Sequence, residues 1–81
     1  MASRKVIPNR TRISRALGDV LRNYRKRSKL SQEELGEEVG LSTNYIGNLE
    51  RGEYEVSLST LNRIAKFFGL KLSEILKEAG Y

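Results

Sequence analysis

Between Ser31 and Gly52 the sequence SQEELGEEVGLSTNYIGNLERG leaves the backbone little choice. Ser31 and Glu34 have the S-x-x-E spacing of a capping box, in which a hydroxyl and a carboxylate satisfy two amide donors at a helix start. A helix is therefore expected to begin at Gln32, with Leu35 and Val39 one turn apart on its inward face. Gly40 ends it, because a sharp exit uses the left-handed backbone conformation that glycine enters without steric cost. Leu41 returns to the core, Ser42 caps a second helix carrying Tyr45, Ile46 and Leu49 at helical spacing, and Gly52 supplies its stop. Two short helices joined across a glycine turn make a helix-turn-helix pattern.

The flanking segments are helical too. Ile13, Leu17, Val20, Leu21 and Tyr24 form one apolar stripe, which predicts a first helix from about Ser14 to Ser28. Downstream, Ser57 can cap a helix with Leu58, Leu61, Ile64, Ala65 and Phe68 on one side and Phe67 near the edge, ended by Gly69. Leu72, Ile75, Leu76 and Ala79 predict a fifth helix closed by Gly80. The 81 residues are enough for one core and too few for two. The fold class is therefore all-α, with five helices over residues 13–81. Residues 1–12 show no helical periodicity and carry Pro8 and the cations Arg4, Lys5, Arg10 and Arg12, a basic N-terminal arm. Such an arm is either a solvated tail or a strand of cations that follows a DNA backbone or enters a minor groove. Val6 and Ile7 suit packing back onto the domain.

Charge separates the chain into halves. Through Lys29 there are ten Lys and Arg against Asp19, a net +9, whereas the remainder has five cations against nine Glu, a net −4. A clustered positive field favours a polyanionic partner, through phosphate attraction and counterion release; a solvated basic tail is the alternative. The chain has no Cys and no His, which excludes disulfides, thiolate chemistry and histidine-based metal sites or acid–base catalysis. No cofactor and no catalytic constellation are expected. Without a membrane-length apolar run or a secretory segment, the reading is a soluble cytoplasmic protein.

The segments L-S-Q-E-E-L-G, V-G-L-S and Y-I-x-x-L-E-R-G resemble the Cro and phage-repressor (XRE-type) helix-turn-helix family. Counting Gln32 as the first motif position, a small residue falls fifth at Gly36, glycine ninth at Gly40, and apolar residues fifteenth and eighteenth at Ile46 and Leu49, as in the family. The family usually has Ala at the fifth place, so Gly36 keeps the space at a helix-propensity cost of roughly 1 kcal/mol. The resemblance runs from about Leu17 to Leu76 and implies a lambda-repressor-like DNA-binding domain. It also implies that Arg25 pairs with Glu50 and ties the first helix to the third. Lys29 stands where relatives commonly have glycine, and Lys71 where they have Ser or Thr.

First-turn side chains of a helix in a major groove reach base edges, which selects Ser42, Thr43, Asn44 and, one turn on, Asn48. An asparagine amide matches adenine N6 and N7, and a threonine methyl can touch thymine. The resemblance makes Thr43, Asn44 and Asn48 base readers and Arg51 a backbone contact. Ser31, Gln32 and Ser42 at helix starts suit phosphates, and Tyr45 either packs inward or reaches the duplex. Phe67, Leu70, Ile75 and Leu76 are candidates for a homodimer interface on a near-palindromic operator. Glu33 and Glu34 suit a helix N-terminus, whereas Glu37 and Glu38 have no such reason; in some relatives a patch of this kind, here Glu33 and Glu37, meets RNA polymerase. Within the class the organisation suits a restriction-modification controller, a phage-type repressor or an autoregulating antitoxin. A protein-interaction module that keeps the fold without reading DNA is the competing class.

Overall fold

The computed structural model describes residues 11–81, so Arg4, Lys5 and Arg10 of the arm lie outside the described residues. Five helices follow in order: α1 Arg12–Arg27, α2 Gln32–Val39, α3 Thr43–Glu50, α4 Leu58–Phe67 and α5 Leu72–Glu78, with no strand among the described residues. The serine caps stand where the spacing put them. Ser31 accepts from the Glu34 amide while Glu34 accepts from the Ser31 amide, a complete capping box. Ser42 and Ser57 accept from the amides of Tyr45 and Thr60. The first helix starts earlier than its apolar stripe suggests, because Thr11 caps it through the Ser14 amide. Arg12, assigned to the arm, is thereby the first residue of α1. At α5 the cap is half made: Lys71 has no capping side chain, and the Glu74 carboxylate accepts from its amide at 2.7 Å.

Four helices end the same way. In the exits through Lys29, Gly52, Gly69 and Gly80, the residue at positive φ donates to the carbonyl three residues back, and the next residue donates five back. This is a Schellman motif. Three of the four use glycine; after α1, Lys29 takes the position at φ 60°, a conformation that costs a residue with a Cβ roughly 1–2 kcal/mol.

The core joins Leu17, Val20 and Leu21 of α1 to Leu35 and Val39 of α2, Ile46 and Leu49 of α3, Leu61, Ile64 and Ala65 of α4, and Ile75 of α5. Two expected core positions lie at its margin instead. Leu58 is 67% exposed and Ile13 39%; with Val56 and Leu76 they line an open apolar groove where the beginnings of α1 and α4 meet. Each sits at the first turn of its helix, at the open edge of the packed core. Ile75 is fully buried in the monomer and is not available to a second copy, which removes it from the dimer candidates. Phe67 is exposed, and Leu70 and Leu76 are half-buried.

Candidate nucleic-acid interface

The position of α3 follows from what lies beneath it. Gly18 of α1 has no Cβ where one would stand 2.4 Å from the Leu49 carbonyl oxygen and 2.7 Å from that of Glu50. Helix α1 therefore runs against the last turn of α3, backbone against backbone. Gly36 plays the same part toward the turn, with the Leu41 carbonyl 2.4 Å from where its Cβ would be. At this spacing a methyl group requires the turn to withdraw, so the propensity penalty of Gly36 is the condition of close packing.

The pairing implied for Arg25 and Glu50 is present. Arg25 Nε and Nη2 donate to the two Glu50 carboxylate oxygens at 2.6 and 2.9 Å, and Nη1 donates to the Leu30 carbonyl at 2.7 Å. Both side chains are nearly covered, at 10% and 4% exposure. The Glu50 hydrogen bonds raise the Arg25 pKa above its ordinary value, against the opposing effect of burial. Gln32 adds a third link, its amide nitrogen donating to Glu50 Oε1 at 3.0 Å. One of the two protons expected for phosphate is therefore engaged inside the protein, and the other is left.

The outer face of α3 differs. Thr43 and Asn44 are exposed on its first turn, and Asn48 is half-buried one turn on. Tyr45 is also half-buried, its ring against Tyr54 of the following loop with centroids 5.5 Å apart. Ser31 and Ser42 use their hydroxyl oxygens as caps and keep the hydroxyl proton to donate outward. Arg51 is exposed just past α3, donating to Asn48 Oδ1 and lying 3.3 Å from Glu53.

Two residues of this surface escaped the sequence reading. Arg22, Arg25, Gln32, Glu50 and Arg51 line an open polar cleft of about 260 Å³ between α1 and the ends of α2 and α3. Arg22 stands one turn before Arg25, a spacing that places it beside the Arg25–Glu50 pair and the cleft. Gly47 is the other: a Cβ there would meet Arg51 Nη1 at 3.2 Å and Gln32 Oε1 at 3.4 Å. With Arg25 spent on Glu50, the exposed Arg22 and Arg51 are the guanidinium groups of this cleft that suit a phosphate. Among the described residues no cluster of three or more Asp or Glu is placed to hold a metal ion, and no helix is long and apolar enough to cross a membrane.

The helix-turn-helix family model HTH_3 matches residues 21–75. The chain belongs to the helix-turn-helix family. It is a transcription regulator of that family, with the five-helix fold of its structural relatives. The control protein C.SmaI of Serratia marcescens is 41% identical over 68 residues, which cover 84% of this chain and 81% of that one. Among solved structures, the clp gene regulator ClgR from Corynebacterium glutamicum has a TM-score of 0.79 at 34% identity, covering 84% of this chain and 72% of its own. The restriction-modification controller protein C.AhdI from Aeromonas hydrophila has a TM-score of 0.72 at 34% identity, covering 76% and 94%. In this helix-turn-helix regulator α2 and α3 are the two helices of the motif, and Thr43 and Asn44 on the first turn of α3 are exposed.

Proposed function

We propose that this protein binds a near-palindromic DNA operator as a homodimer, laying α3 in the major groove and regulating transcription in the cytoplasm. One observation carries the reading: Thr43 and Asn44 stand exposed on the first turn of a helix whose opposite face is locked by the Arg25–Glu50–Gln32 bonds. A rigid helix with bare polar side chains at its leading end fits a groove and reads base edges there. Thr43, Asn44 and Asn48 read bases. Ser31, Gln32, Ser42, Arg22 and Arg51 hold the phosphates, joined by Tyr45, by Arg12 at the start of α1 and by the arm residues Arg4, Lys5 and Arg10. Among subclasses, the controller proteins are supported best, since C.SmaI and C.AhdI match most of this chain and most of their own.

A single domain of this size covers half a typical operator, and two copies about one helical turn apart supply the rest. Phe67, Leu70 and Leu76 form the dimer contact. Glu33 and Glu37, both exposed on α2, face RNA polymerase when the protein sits upstream of a promoter; charge reversal at Glu37 is expected to lower promoter activation while DNA binding persists. The whole reading is tested by selecting bound sequences from a random duplex pool. The expected product is an inverted repeat with half-sites spaced by about one turn of DNA, and recovery of unrelated sequences would end it.

A further inference from the structure

Arg51 follows Asn48 by one turn, and its guanidinium has two partners and a space left open for it. Nη2 donates to Asn48 Oδ1. Nε lies 3.3 Å from a Glu53 carboxylate oxygen. Nη1 lies over Gly47, where a Cβ would approach it to 3.2 Å, so the missing side chain makes room for the group. A guanidinium has donors and no acceptor, and the amide atom turned toward it is therefore the oxygen. That choice sets what Asn48 shows to a groove. Pairing with adenine needs both amide atoms aimed at the base together, one accepting from N6 and one donating to N7. With Oδ1 turned along the helix to Arg51, the NH₂ group is what remains.

We infer that Arg51, clamped by Glu53, is a positioning residue that makes Asn48 a donor-only reader, selecting guanine over adenine at the base pair it meets. Guanine presents two acceptors, N7 and O6, whereas adenine sets a donor beside its N7. Asn44 is exposed on the same helix face, and among the described residues its side chain has no hydrogen-bond partner. It keeps both functions and reads adenine. The two asparagines, alike in sequence, thus read different bases. The inference rests on the operator-binding function proposed above, and it gives Arg51 a second task besides holding a phosphate.

The test is selection from a random duplex pool by the wild type and by Asn48→Ala, Arg51→Met and Glu53→Gln. Asn48→Ala marks the base pair by losing preference there. At that pair the wild type is expected to favour guanine over adenine by about fivefold or more, the range for a single mismatched base pair. Arg51→Met is expected to bring adenine level with guanine at that pair alone, on top of an affinity loss shared by all sequences. Glu53→Gln is expected to move the same pair by less, with overall affinity nearly kept. The Arg51 and Glu53 side chains are about half exposed, at 53% and 40%, so these two variants should melt with the wild type. Adenine favoured by the wild type at the Asn48 pair, or an Arg51→Met selection identical to wild type apart from a uniform loss, overturns the inference while leaving the operator reading intact. A wild-type selection without any preferred sequence overturns both.

Discussion

The two faces of α3 are made from eight residues and share one backbone, yet they are held in opposite ways. Toward the protein, Ile46, Leu49 and Glu50 are buried, Gly47 makes room for two polar side chains, and α1 presses on the last turn through Gly18. Toward solvent, Thr43 and Asn44 are exposed. Changes on the inner face should therefore appear in stability and changes on the outer face in base preference, with little exchange between them. Asn48 belongs to both, because it is half-buried and its oxygen accepts from the exposed Arg51.

The sharpest challenge to this division is Glu50→Ala. It leaves the Arg25 guanidinium buried without its carboxylate, and breaking a buried pair from one side costs about 3–5 kcal/mol. A thermal melt should show a domain largely destabilised, and an unchanged Tm would mean that the inner face is not held by this bond. Gly18→Ala comes next. The added methyl would meet two carbonyl oxygens of α3 inside 3 Å, and overpacking of this kind costs typically about 1–3 kcal/mol. Chemical denaturation can measure it, and a neutral result would show that α1 and α3 slide apart freely.

The outer face predicts the reverse pattern. Asn44→Ala should leave the melt unchanged and lose about 1–3 kcal/mol at one base pair of the operator. Competition between operator and random DNA separates the cases: equal losses on both would remove Asn44 from the readers. The smallest effect belongs to the turn below α1. Lys29 holds a position that glycine fills in three equivalent exits of this chain. Replacing it with glycine removes strain of roughly 1–2 kcal/mol and adds unfolded-state freedom of roughly 0.5–1 kcal/mol. Lys29→Gly should therefore raise Tm by a few degrees, with base preference untouched.

Most of the fold could be read from local signals, because caps and stops act within a few residues. Ser31, Ser42 and Ser57 announced three helix starts, and Gly40, Gly52, Gly69 and Gly80 announced four ends. Where Thr11 capped α1, the apolar stripe started later than the helix and the boundary shifted. The close approaches were less legible. Gly18 and Gly47 have no local turn to explain them, and their reason lies in residues up to 32 positions away, Glu50 and Gln32 among them. The burial of Ile75 and the exposure of Leu58 likewise depend on which helices meet, since both residues suit an inward face on periodicity alone. The exposed first-turn placement of Thr43 and Asn44 was legible, because it follows directly from the Ser42 cap. The engagement of Gln32 with Glu50 was not, for it joins the start of one helix to the end of another.

That junction has a consequence for how the regulator meets DNA. One carboxylate, at the end of α3, ties down the beginning of α2 through Gln32 and the last turn of α1 through Arg25. Three segments cannot pivot independently about a shared anchor, so the reading head arrives in fixed shape. In the operator-bound dimer proposed above, accommodation to a groove of imperfect width must come from bending of the duplex or from rocking of one copy against the other.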